Sequence, residues 1–333
     1  MTVATHEQPA PGVCWTHRPD EVPDHLLTLL DSDVSASPYL TPRWSHFWER
    51  AWKDTTADFW VLGSQDGGVM AVWTVKRRRW KWDWVFCQPY GTAGVFHSSE
   101  WDRRDIELLT DVLMSTAGDQ CVQVTLSGNV PDIAPKGWTV KSHEFSSWVY
   151  DDAARQSQTF LNDISDNHRR NIEKGRTLNP EISIIYGPAE VERMQSEMQS
   201  RRDKDSRIVL DAKLGPLFAE VFAGSREMKW YAAWHEGHCA ATCLWLRRGD
   251  HAVYLDGAVD NRSVETGINH ALFAHALNDL HNAGVRLFDF GSGPQGQTSS
   301  GLARFKEGWG AQPLTRRELA LRTPLYNLVR RIV

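Results

Sequence analysis

Several signatures are missing from this 333-residue sequence. Its five cysteines, Cys14, Cys87, Cys121, Cys239 and Cys243, are scattered, odd in number and form no CxxC pair. That argues against a disulfide framework and leaves a zinc site short of ligands, as expected of a protein in a reducing compartment. Cys239 and Cys243 are four apart in a strand-like run, where they would share one face as buried small residues. No apolar run approaches the roughly 20 residues of a membrane span. The opening MTVATHEQPAPG lacks the basic start and apolar core of a signal peptide. A soluble, cytoplasmic protein is expected. Excess basic charge is also missing: the net charge is −5, which excludes a surface built for bulk DNA binding but leaves room for a local basic face. No GxSxG elbow and no Ser-His-Asp triad is found. What is abundant is tryptophan, with 16 residues, mostly an investment in packed cores. At roughly 100–200 residues per domain, the length allows two domains.

The second half is the more legible. QTFLNDISDNHRRNIEKGRTL (158–178) reads as a charged helix stopped by Pro180, and EISIIYG (181–187) as a strand. Helices are expected over 188–205 and 211–224. KWYAAW (229–234), CAATCLWLRR (239–248) and HAVYLDGAV (251–259), separated by HEGH and Gly249-Asp250, form a meander. Leu272, Phe273, Ala276, Leu277 and Leu280 share half of a helical wheel starting at Gly267, and Gly284 is placed to end that helix. His270 and His281 fall on its polar side and are expected at the surface. VRLFDFG (285–291) reads as a buried strand, GSGPQGQTSSG as a loop, LARFKEGW as a short helix and PLTRRELALR as a final strand.

The first half carries a fainter copy: a helix (41–52), a hairpin (58–68 and 69–79), a strand (82–91), a helix (98–118) with Ser99 as its cap, and a strand (120–128). The two hairpins overlay without a gap at an offset of 170 residues, Trp60 on Trp230, Gly67 on Gly237, Ala71 on Ala241 and Arg77-Arg78 on Arg247-Arg248. This indicates a duplicated α/β unit. The turn glycines and edge charges common to any hairpin are the competing explanation.

A strand meander, then a helix, a strand and a short helix is the element order of the GNAT fold. FDFGSGPQGQTSSGLARFKEGWGAQP (288–313) resembles the segment of Fem-type transferases (the FemABX group and BioF2-like relatives) in which a strand ending in Asp-Phe-Gly precedes a Gly-containing loop and a Phe-Lys-x-Gly-aromatic-Gly run. NHRRNIEKGRTL (167–178) resembles that family's Arg-rich helix, and Pro89-Tyr90-Gly91 a first-domain landmark. The long helical arm of some members has no room here. The resemblance implies an α/β protein of two tandem GNAT-like domains, each a mixed, mainly antiparallel sheet flanked by helices. Their expected bounds are 13–150 for the acceptor side and 151–322 for the donor side with the transfer site. It also implies amide formation from aminoacyl-tRNA onto the amine of a peptidoglycan precursor or a peptide-like metabolite. In the BioF2-like branch acyl-CoA is the donor. Either donor is a co-substrate; no permanently bound cofactor and no metal is expected.

Amide formation from an ester or thioester needs a neutral amine, a donor aimed at the carbonyl oxygen, and close placement of the two reactants. Lys306, the motif lysine, is the candidate for the oxyanion; the alternative is a solvated helix lysine. Arg304, two residues earlier, would point elsewhere, toward substrate phosphate or solvent. Asp289 lies in an otherwise apolar strand and must pair. It would orient Lys306, a loop amide or the incoming amine, or else cap the following loop. Tyr254 and Asp256, two apart on the preceding strand, would face one side, Tyr254 as a proton donor to the leaving oxygen and Asp256 as a substrate contact. The stretch NRSVETGINHA lacks the Gly-rich run that cradles CoA pyrophosphate, although Gly267 opens a helix and Arg262 is close by. Arg169-Arg170, Arg201-Arg202, Arg316-Arg317, Arg330 and Arg331 are candidates to track a tRNA acceptor stem, or are solvated charges. KRRRWKWDW (76–84), with Trp82, and Tyr90 are candidate acceptor contacts; a charge-guarded edge strand explains the former equally well. The expected activity is aminoacyl-tRNA-dependent transfer. The alternatives are acyl-CoA-dependent N-acylation and a non-catalytic binding module of the same fold.

Overall fold

The computed structural model describes residues 14–18, 20–24, 27–28, 38–39, 41–63, 69–79, 82–87, 103–117, 121–128, 137–151, 164–198, 213–292 and 301–329. The chain forms two compact units, Met1–Glu144 with Arg316–Val333, and Phe145–Thr315.

In the first unit, β1 (Cys14–His17) lies antiparallel to β2 (Thr55–Gly63). Helix α1 (Pro42–Ala51) starts where the Thr41 hydroxyl accepts the Trp44 amide at 3.2 Å and Pro42 presets the first turn. Its Trp44, Phe47 and Trp48, at helical spacing, are buried. β2 hairpins into β3 (Val69–Arg79) and β3 into β4 (Trp82–Cys87). β5 (Cys121–Gly128) then joins β4 in parallel, which requires a crossover such as the one containing α2 (Arg103–Ala117). β6 (Trp138–Asp151), absent from the sequence reading, begins in this unit and ends in the other.

The second unit continues with α3 (Asp166–Arg176), β7 (Glu181–Ile185), α4 (Pro188–Glu197) and α5 (Leu214–Val221). The meander β8 (Met228–His235), β9 (His238–Arg248) and β10 (His251–Val259) follows. Then come α6 (Ile268–Asn282), β11 (Leu287–Ser292) and α7 (Gly301–Gly308). Strand order is β6-β11-β10-β9-β8-β7, antiparallel except for β10 and β11, which α6 connects. The predicted wheel of α6 holds: Leu272, Phe273, Ala276, Leu277 and Leu280 are all buried. With Tyr231, Cys243, Trp245, Phe288 and Phe290 they form the core on one face of the sheet. On the other face Phe218 of α5 meets Trp230 edge-on at 6.5 Å.

β12 (Gln312–Arg322) and α8 (Pro324–Val329) complete the chain. Arg317–Arg322 pair antiparallel with Gly128–Gln123 of β5, and the first unit's order is β1-β2-β3-β4-β5-β12-β6. This differs from the expected second domain of 151–322. The last strand satisfies its backbone hydrogen bonds in the first unit, and the start of the second moves back to Phe145 because β6 pairs with β11 from Ser147 onward.

Two further expectations need correction. The hairpin overlay does not carry the register. β8 and β9 turn through two residues of positive φ, Glu236 (49°) and Gly237 (76°), whereas Gly63 pairs with Val69 across five intervening residues. Near the turn Trp234 faces Cys239, one residue off the overlay. The two cysteines also part company. A bulge at Ala240 sends Cys239 out of the α6-side core that holds Cys243. Both thiols are fully buried, and burial pushes both well above the ordinary thiol range.

Candidate active site

Two local irregularities open the sheet. β10 and β11 pair only from His251–Val253 against Leu287–Asp289. Beyond Val253, β10 bulges at Leu255, so that Tyr254 faces Trp245 and Asp256 faces Leu244. Beyond Asp289, the register of β11 against β6 shifts, with Gly291 at φ +73°, a conformation that favours glycine. The two parallel strands therefore part at Tyr254 and Phe290.

α7 delivers a lysine to this parting. Lys306 is 3% exposed, so it is not a solvated helix lysine. Its Nζ donates to the Gly291 carbonyl at 2.8 Å, and the Gly291 amide donates to Asp289 Oδ1 at 2.7 Å. One glycine peptide on each side is thus gripped by the two motif residues. Burial lowers the Lys306 ammonium to about 8, the nearby Asp289 carboxylate partly opposing the shift. Asp289, itself 5% exposed, accepts the Gly291 amide within its own strand. Arg304 points away from Lys306 and is exposed. Tyr254 packs its ring against the core, and its hydroxyl lies over Gly257, where a Cβ would overlap it. Burial raises its phenol well above the ordinary value.

The bulge corrects the expectation for Asp256. It and Tyr254 do not face one side, because Leu255 adds the extra residue that reverses the alternation. Asp256 is 8% exposed and its Oδ1 accepts the Gly257 amide at 2.7 Å.

The expected donor-side residues lie elsewhere in the second unit. Gly267, at φ +82°, caps α6 but is buried beneath α3. A Cβ on Gly267 would overlap the Asn171 carbonyl, and one on Gly175 would overlap the Gly267 carbonyl. Glycine is required at both positions by helix packing. Arg262 donates from Nε and Nη2 to the buried Asp260 carboxylate at 2.9 and 3.2 Å, and its own amide to the same group at 2.8 Å. Arg169 and Arg170 lie on the exposed face of α3, Arg169 at 3.6 Å from Asp166. Arg316 and Trp82 belong to β12 and β4, but their side chains lie outside the described residues, as do Tyr90, Arg201, Arg202, Arg330, Arg331, Ser99 and the loop 293–300. Among the described residues no helix is long and apolar enough to cross a membrane.

One cluster escaped the sequence reading. The buried side of α3 is His168, Ile172 and Gly175. His168 donates from Nε2 to the Phe305 carbonyl at 3.0 Å, with Nδ1 at 3.2 Å from the Ser165 hydroxyl. His270 is not at the surface: its ring meets His168 at 4.7 Å and Phe305 at 5.7 Å. Burial, then the neighbouring His168, lowers it to about 4. The spacing 168, 172, 175 on α3 is the signal that would have placed His168 inside.

Residues 163–307, which hold Lys306, Asp289 and Tyr254, match the acetyltransferase (GNAT) domain family. This part of the chain is similar to a GNAT domain. No curated protein matches the chain. Among solved structures, FemX covers 95% of this chain over 99% of its own at 12% identity, with a TM-score of 0.72. L-PGS from Bacillus licheniformis covers 95% over 98% at 13% identity, TM-score 0.56. A tandem GNAT protein from the clavulanic acid biosynthesis pathway covers 93% over 98% at 14% identity, TM-score 0.55. At such identities what is shared is the fold: two tandem GNAT-like domains of mixed, mainly antiparallel sheet flanked by helices. The matched GNAT domain belongs to an acyl-transferring family.

Proposed function

We propose that this protein forms amides by moving an aminoacyl group from aminoacyl-tRNA to an amine of a peptidoglycan precursor or a small peptide-like product. The observation that carries the reading is the buried Lys306 ammonium where β10 and β11 part. In the transfer step the neutral acceptor amine attacks the ester carbonyl, a C–N bond forms, and the oxygen gains negative charge. A desolvated ammonium next to that oxygen stabilises it far more than one in water. The tetrahedral centre then expels the ribose oxygen, which takes up a proton, while the amine nitrogen releases one. Lys306, lowered to about 8, holds its charge at neutral pH yet exchanges its proton readily. The Fem-type run around Lys306 and the exposed Arg169-Arg170 face of α3 support a tRNA donor, as does a Gly267 buried under α3.

The second reading is acyl-CoA-dependent N-acylation. It is favoured by the acetyltransferase family match over residues 163–307. Purified protein given labelled aminoacyl-tRNA or labelled acetyl-CoA, with a panel of amine acceptors, separates the two. The expected result is donor consumption abolished by RNase. Turnover of acetyl-CoA indifferent to RNase would replace the first reading with the second.

A further inference from the structure

Lys306 sits on α7, a helix of eight residues. α3 grips it at two points. The Ser165 amide donates to the Gly308 carbonyl at 2.9 Å, and His168 Nε2 donates to the Phe305 carbonyl at 3.0 Å, one residue before the lysine. A carbonyl only accepts, so Nε2 carries a proton, and in the neutral ring Nδ1 accepts from the Ser165 hydroxyl. That hydroxyl in turn accepts the His168 amide at 3.3 Å as the cap of α3. The ring lies flush on α7: a Cβ on Gly308 would overlap it. Trp309, Phe305 and His270 close around it at ring separations of 4.9, 5.5 and 4.7 Å. α3 is itself fixed to α6 by the backbone contact between Gly175 and Gly267. Every member of this chain of contacts lies in the second unit.

We infer that His168 is a positioning residue: neutral and singly protonated on Nε2, it latches the Phe305 carbonyl and thereby fixes Lys306 against Gly291. The consequence for transfer rests on the function proposed above; the latch itself does not. The groups that face the pair are Asp289 from β11 toward Lys306 and His270 from α6 toward His168. Burial holds both histidines below their ordinary range, consistent with a neutral ring at work in the latch.

The test reads Lys306 directly, by NMR titration of protein isotope-labelled at lysine Cε, the signal assigned by its loss in Lys306→Met. In the unsubstituted protein the midpoint is expected near about 8. His168→Leu releases α7, and the midpoint should move most of the way to the ordinary lysine value of 10.5. His168→Gln places an amide N–H where Nε2 was and should restore the original midpoint. Circular dichroism verifies folding; if His168→Leu does not fold, His168→Asn, which keeps the ring's first atoms but cannot reach Phe305, takes its place. In the transfer assay the released variants should lose kcat with donor KM unchanged, and His168→Gln should regain it. A folded release variant whose Lys306 titrates as in the parent overturns the inference. If the parent turns over neither donor, the proposed function falls while the titration still decides the latch.

Discussion

Lys306 is an expensive residue to bury. Its folded-state value, lowered from 10.5 to about 8, means that at neutral pH the ammonium is held in a site that disfavours it. By linkage the unfolded chain binds more protons between those two values, so stability should rise as pH climbs through that window. At 1.36 kcal/mol per unit the site costs about 3 kcal/mol at neutral pH. Part of this is offset by the hydrogen bond to Gly291, about 1 kcal/mol. Lys306→Met should therefore raise stability by about 1–2 kcal/mol in urea unfolding and flatten the alkaline rise. The same change should lower kcat by about 100-fold or more, as loss of an oxyanion donor does. In the parent protein kcat should fall as pH rises through about 8, where the charge is lost. A kcat that instead falls on acidification through that value would assign Lys306 to proton abstraction. The sequence already showed Lys306 as the motif lysine. Because two residues of helix turn through about 200°, it also set Arg304 on a different face from Lys306; which of the two faces inward was decided only by the docking of the helix.

At the scale of elements, α3 and α6 meet through bare backbone. Gly175 and Gly267 approach so closely that a methyl on either would strike a main-chain carbonyl, which cannot rotate away as a side chain can. Gly175→Ala should cost about 2–3 kcal/mol in denaturant unfolding. It should also disturb the α7 latch through α3, detectable as an upward shift of Lys306. An unchanged unfolding midpoint would show that the helices do not pack this tightly in solution. The helical wheel of α6 was legible because apolar spacing at 3.6 residues has one solution. Asp256 was misplaced because a bulge adds one residue without altering composition, and alternation fails silently beyond it. His168 was overlooked for a related reason: its partner, Phe305, is 137 residues away.

For the whole molecule, the final strand returns to the first unit and lies between β5 and β6. Thr139 Oγ1 also donates to the Ala320 carbonyl across that pairing, at 3.3 Å. Ending the chain at Thr315 would leave an internal gap in the first unit's sheet and two unpaired strand edges. Limited proteolysis read by mass spectrometry should then show cleavage concentrated in the first unit, with the GNAT domain of residues 163–307 comparatively protected. Preferential cleavage within the GNAT domain would contradict this assignment of the strand.

The sequence by itself determined the tandem α/β plan, the meander and long helix of the second unit, and the Asp-Phe-Gly strand with its downstream lysine, since each is written in local periodicity or in a contiguous motif. Only the tertiary structure decided that β12 completes the first sheet, that β10 and β11 part after three paired residues, and that a histidine on α3 holds the lysine's helix. Those outcomes depend on hydrogen bonds and close packing between residues far apart in the chain, and such pairings leave no periodic trace in any one segment.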